Sequence, residues 1–143
     1  MFSGEFHHTL DSTGRLILPA EFRDALADGL FIAKGMEKCL FIFSRKEWLQ
    51  LADKIRLLPL TKKDARQFSR CFFSGAKEGI LDKQGRVLIP DHLRKYAGLN
   101  KDVVIIGVSN RLEIWNREKW ETYRKQAEKS YAEVAEHLPE FSI

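Results

Sequence analysis

Cysteine is scarce: Cys39 and Cys71 are the two thiols among 143 residues, Cys39 beside Leu40-Phe41-Ile42-Phe43 and Cys71 beside Phe72-Phe73. Thiols in such apolar company read as buried and reduced, which excludes a disulfide scaffold. Histidine gives no metal spacing either. His7 and His8 are adjacent, so a strand points them to opposite faces, and His92 and His137 stand alone. Neither a metal centre nor a cofactor is expected. A Walker loop, a Gly-x-Ser-x-Gly elbow and a Rossmann fingerprint are all missing, so the chain is not read as an enzyme and no small-molecule substrate is expected. No apolar run approaches the ~20 residues of a membrane span, and the first residues lack a signal-peptide layout, so the expectation is a cytoplasmic protein without membrane contact. Charge of one sign is not concentrated in a tail. The net charge is +4, and most of the surplus lies over residues 61–76, where Lys62, Lys63, Arg66 and Arg70 face Asp64. Nucleic acid is a compatible partner, but any binding face has to come from folding.

What the chain does have is itself, twice. Phe2-Ser3-Gly4 through Pro19 returns as Phe73-Ser74-Gly75 through Pro90. At an offset of 71, nine of the 22 positions from Phe2 to Arg23 are identical, against about one or two by chance. After one inserted residue the match resumes at offset 72, where Gly35, Leu40, Ile42, Arg45 and Trp48 recur as Gly107, Leu112, Ile114, Arg117 and Trp120. Two copies with so long a period mean a duplicated domain and not a solenoid. Each half is close to the size at which an independent core becomes marginal, so a shared core is expected.

The pattern predicts an α+β protein whose repeating unit is β-β-α-β-β followed by a helix. The boundaries are a first unit with its helix over 1–55, a linker helix over 56–72 and a second unit with a long C-terminal helix over 73–143. Each unit opens with a strand, turns at Asp11–Gly14 or Asp82–Gly85 as a hairpin with Gly at the positive-φ position, and continues as an aliphatic strand. Pro19 and Pro90 suit the first position of a helix. Ser44-x-x-Glu47 is a capping box, Asn116 a cap, and Thr61-x-x-Asp64 a start for the linker helix. Trp120, Tyr123, Ala127, Tyr131 and Val134 recur at helical spacing, a stripe that reads as packing.

The Asp-x-x-Gly-Arg turn carries the functional signal. A single copy reads most simply as a turn cap with a surface ion pair of small energetic value. Repetition changes the weighting: the middle residues differ, Ser12-Thr13 against Lys83-Gln84, while Asp, Gly and Arg recur with a Pro four residues beyond the Arg. Backbone geometry accounts for Gly and Pro but not for a projecting Arg. Asp is therefore read as the turn's organiser and Arg as its exported contact. An acid/base pair of Asp11 with Asp82 is rejected, because a nearby Arg keeps each carboxylate ionised and a general acid needs the opposite shift.

These two D-x-x-G-R-hydrophobic-x-hydrophobic-P segments, each preceded by Phe-Ser-Gly, resemble the MraZ family of bacterial transcriptional regulators, built from tandem SpoVT-AbrB-type domains. The resemblance covers nearly the whole chain. It implies a swapped-hairpin, AbrB-like β-barrel assembled from both halves and flanked by helices, a ring-like homo-oligomer, and a nucleoid-associated repressor. The implied partner is double-stranded DNA, through repeated boxes in the promoter of the family's own division and cell-wall cluster. Carried over by residue, the motif positions are Asp11 and Arg15, and Asp82 and Arg86. Gly14 and Gly85 belong to the same turns, and Thr13, Lys83 and Gln84 are added because they lie there too. Arg suits this role through bidentate contacts to guanine or a clamp on phosphate, and the major groove admits a two-stranded ribbon.

Two other readings compete. One is a ring-forming scaffold with non-specific DNA association, using Phe2, Trp48, Trp120 and Phe141 as interface residues. The other is a DNA-binding antitoxin, which the helical C-terminal segment disfavours because a toxin-wrapping tail is more often disordered.

Overall fold

The computed structural model describes residues 1–141. The elements are β1 (Glu5–Thr9), β2 (Arg15–Ile17), α1 (Ala20–Arg23) running into a 3-10 turn (Asp24–Leu26), β3 (Leu30–Lys34), β4 (Leu40–Ser44), α2 (Arg45–Arg56) and α3 (Lys63–Gly75). The second unit follows with β5 (Lys77–Gly79), β6 (Arg86–Leu88), α4 (Asp91–Ala97), β7 (Asp102–Val108), β8 (Arg111–Asn116), α5 (Arg117–Lys129) and α6 (Tyr131–His137).

Strands are exchanged between the halves. An antiparallel six-stranded sheet runs β1-β7-β8-β4-β3-β5, so the first strand of each unit pairs with the third strand of the other. A separate ribbon joins β2 to β6. This corrects the hairpin expectation: after the bridge Leu10↔Leu16 the two arms part, β1 into the sheet and β2 into the ribbon. Alternation decides the parting, because Leu16 and Val87 must both turn inward. They join one core with Leu18, Leu30, Ile32, Leu40, Ile42, Ile89, Leu93, Val103, Ile105, Leu112 and Ile114. The ribbon thereby closes the inner face of the curled sheet in an α+β, AbrB-like architecture, and both halves share one core as their size requires.

The outer face carries the helices. Trp48 of α2 stacks on Phe31 at 4.7 Å and on Phe72 of α3 at 5.4 Å, fixing the linker helix over β3. Phe2 is buried against Phe22, and Phe2 and Trp48 are therefore core residues rather than interface candidates. On β7 and β8, Val104, Ile106 and Trp115 form a second outer cluster covered by Trp120. Trp120 also donates through Nε1 to Glu5 Oε1 at 2.9 Å.

Caps follow the sequence in part. Ser44 Oγ accepts from the Glu47 amide at 3.2 Å, and Asn116 Oδ1 from the Lys119 amide at 3.0 Å. Thr61 caps nothing, since α3 starts two residues later behind Lys62. Pro19 and Pro90 occupy the cap position itself, one residue before the place expected. Cys39 is buried, with its thiol pushed upward by desolvation and then by Glu113, whereas Cys71 is exposed on α3, against expectation. The C-terminal helix breaks at Ser130; Tyr123 of its stripe packs against Trp115 and Trp120, whereas Tyr131 and Val134 farther along are exposed, as is Phe141 beyond the helix. No helix of the described residues is long and apolar enough to cross a membrane.

Candidate nucleic-acid interface

Each repeated motif folds into the same hydrogen-bonded turn. Asp11 Oδ1 accepts from the Thr13 amide at 2.9 Å, the Thr13 hydroxyl at 2.7 Å and the Arg15 amide at 2.9 Å. The main chain closes underneath, with the Asp11 amide donating to Arg15 O and the Gly14 amide to Asp11 O. In the second copy Asp82 Oδ1 accepts from the Gln84 amide at 2.9 Å and the Arg86 amide at 2.8 Å. Because the backbone donors recur in both copies, the turn forms with either Ser-Thr or Lys-Gln between Asp and Gly, and Thr13 adds a side-chain donor to the first copy. Gly14 and Gly85 have φ of 87° and 78°, a region that an L side chain rarely adopts.

The aspartates are held ionised by their turns. The Thr13 hydroxyl, and then the Arg15 amide, bring the Asp11 carboxyl down to about 2. The Arg86 amide lowers Asp82 first, with the Arg86 side chain adding to it. Multiple donors to a carboxylate favour its charged form.

The ribbon then brings both turns together. Its register sets Arg15 opposite Leu88, Leu16 opposite Val87, and Ile17 opposite Arg86. With Leu16 and Val87 inward, Arg15, Ile17, Arg86 and Leu88 share the outward face. The turns also hold each other's chains: the Leu18 amide donates to Gly85 O at 3.0 Å and the Ile89 amide to Gly14 O at 2.9 Å. Thr13, Lys83 and Gln84 are exposed at the turn tips.

The two arginines are not equivalent. Arg86 donates from Nε to Asp82 Oδ2 at 2.8 Å and stands 4.0 Å from Asp11 Oδ2 in the opposite turn. Arg15 donates from Nη1 to the Thr13 hydroxyl at 2.8 Å and pairs with no carboxylate among the described residues. One guanidinium is hydrogen-bonded to a carboxylate with a second carboxylate 4.0 Å away, and the other rests on a neutral hydroxyl.

A second arginine pair lies beyond the repeated motif, at Arg23 and Arg94. The Arg94 guanidinium lies over Gly14 and the Arg23 guanidinium over Gly85, each reaching the turn of the other half, and a Cβ on either glycine would overlap it. Arg23 Nε donates to Leu18 O at 3.0 Å, whereas Arg94 Nε is buried without a partner. The signal was available, since Arg23 and Arg94 are among the nine identities at offset 71. By contrast, the linker cations Lys63, Arg66 and Arg70 ride on α3, which packs through Phe72 on the sheet face opposite the ribbon. Among the described residues no group of three or more His, Cys, Asp or Glu is arranged to hold a metal ion.

Comparison with known proteins gives a consistent result. The family model described as "MraZ protein, putative antitoxin-like" matches twice, over residues 1–71 and 72–141. A protein named transcriptional regulator MraZ from Natranaerobius thermophilus is 57% identical over 143 residues, covering 100% of both chains. One of the same name from Caldanaerobacter subterraneus subsp. tengcongensis is 52% identical over 143 residues, again covering 100% of both. A third, from Desulforamulus reducens, is 51% identical over 138 residues, covering 96% of this chain and 97% of its own.

Proposed function

The chain belongs to the MraZ family, and from that membership and the paired turns we propose that it is a sequence-specific DNA-binding transcriptional regulator. In this reading it represses the division and cell-wall operon that contains its own gene, by binding repeated promoter boxes on the bacterial nucleoid. Arg15 and Arg86 make the contacts. Asp11, Asp82, Gly14 and Gly85 shape the turns, and Thr13, Lys83 and Gln84 line their tips. The protein needs neither metal nor cofactor for this and performs no catalysis.

The observation that carries the reading is the ribbon register, which sets both arginines on one outward face. A two-stranded ribbon fits the major groove, where Arg meets guanine O6 and N7 or the flanking phosphates. Copies arranged in a homo-oligomeric ring would present this face at regular steps, so that contacts to successive boxes multiply through effective concentration.

One observation favours a scaffold instead: the uncovered apolar groove along α5 and α6, lined by Tyr123, Ala127, Tyr131, Val134, Leu138 and Phe141. Fluorescence anisotropy separates the two readings. The duplex immediately upstream of the protein's own gene should bind at least ~10³-fold tighter than a scrambled duplex at matched salt. Equal, steeply salt-dependent binding to both would leave the scaffold reading with electrostatic association alone.

A further inference from the structure

We infer that Ile17 and Leu88 are specificity residues that read thymine methyl groups in the major groove, a role that rests on the DNA-binding function proposed above. Both side chains are left outside the folded core. Ile17 is 44% exposed and Leu88 49% exposed, and neither joins any of the hydrophobic clusters that hold the rest of the chain. They occupy corresponding positions of the two units, and the ribbon register sets each across from an arginine, Ile17 facing Arg86 and Leu88 facing Arg15. Strand propensity accounts for an exposed Ile but not for Leu, which is neither β-branched nor aromatic. Folding does not require an aliphatic side chain at either position.

The alternation of Arg and aliphatic side chains matches what the major groove displays. The guanine edge and the phosphates offer acceptors, and the thymine C5 methyl is the one apolar group on a base-pair edge there. Two isolated aliphatic side chains flanked by guanidinium groups make too small a patch for a protein partner, whose interface takes roughly 800 Å² per side. A methyl is the size of group this patch can cover. The cations beside it are complementary to the phosphates that bracket the groove.

The test uses the duplex upstream of the protein's own gene and the same duplex with deoxyuridine replacing every thymine, which deletes only the methyl groups. The wild-type protein should lose about fourfold in affinity per contacted methyl. Ile17→Ala/Leu88→Ala protein should bind the two duplexes alike, at the weakened affinity. If the wild type prefers the upstream duplex over a scrambled one yet ignores the loss of methyl groups, methyl reading is overturned and the DNA-binding function stands. If the wild type does not prefer the upstream duplex, both fall together. A shift in particle size on substitution, with wild-type indifference to deoxyuridine, would overturn the inference by making this face a contact between copies. The wild-type comparison needs no variant and stays decisive even if the double substitution misfolds.

Discussion

Arg86 and Asp11 belong to different halves of the chain, yet Nη1 of one stands 4.0 Å from Oδ2 of the other. Across the same pseudo-symmetric ribbon, Arg15 makes no such contact and hydrogen-bonds to Thr13 instead. In the proposed DNA contact Arg86 has to leave its hydrogen bond to Asp82, with Asp11 close by, whereas Arg15 has to leave a hydroxyl.

Arg15→Ala is therefore expected to lower affinity for the upstream duplex by about 5- to 150-fold, the range for one bidentate base contact. Circular dichroism and particle size should stay unchanged. Arg86→Ala should cost less affinity, because its loss also releases a competing ion pair. Alanine at both positions should flatten the salt dependence by about 0.9 in slope per phosphate no longer neutralised. Equal losses for the two single variants in anisotropy titrations would contradict the asymmetry.

Removing a negative charge from the proposed DNA-binding face should strengthen binding if electrostatics alone mattered. Asp11→Ala is expected to do the reverse, because three donors lose their acceptor and Arg15 loses its fixed presentation. A binding titration of this variant decides the point: tighter binding would reduce Asp11 to a bystander charge.

Acid should act on the turns in a narrow window. The folded Asp11 carboxyl sits at about 2, below its ordinary value of 3.8. A depressed folded value means that the unfolded chain binds more protons as pH falls. The turn's contribution is thus complete above about pH 4 and is lost as pH drops toward 2. The Asp11 side-chain carboxyl and the Thr13 amide, followed by NMR from pH 6 to 2, should titrate together near the lower value. A midpoint at the ordinary value would mean that the hydrogen bonds do not persist in solution.

Gly14→Ala and Gly85→Ala combine two penalties, a positive φ and an overlap with Arg94 or Arg23. The backbone part alone is about 1–2 kcal/mol. Adding Arg94→Ala to Gly14→Ala should recover only the steric part, as measured by urea denaturation. Full recovery would show that φ at Gly14 carries no strain.

Much of this arrangement was legible because local chemistry repeats locally. Asp-x-x-Gly-Arg specifies its own turn through bonds within five residues, and Ser44 and Asn116 cap the helices that follow them. Pairing between distant strands was not legible in the same way. The turn resembles that of a hairpin, but β1 goes to β7 because the sheet's inner face needs Phe6 and Leu10 while the ribbon needs Leu16. Identity of sequence also failed to guarantee identity of structure. Phe2-Ser3-Gly4 is a non-helical segment with the bridge Phe2↔Ser109, whereas Phe73-Ser74-Gly75 forms the last residues of α3. The preceding linker helix settles that difference, and the repeat itself carries no trace of it. The repeat marks Arg23 and Arg94 as an identity, but their partners are glycines in the opposite half, and no spacing rule connects them.

Strand exchange within one chain bears on the kind of site the proposed function would recognise. Two identical subunits that swap strands must address a palindrome, since their symmetry is imposed on the base sequence. Here the exchange is between covalently joined halves, so the tips could diverge to Thr13 in one and Gln84 in the other without losing the partnership. Under the proposed DNA-binding function, two halves with different tips would meet a directional site rather than a mirror-like one, and the protein would have a sense of forward and backward along the duplex.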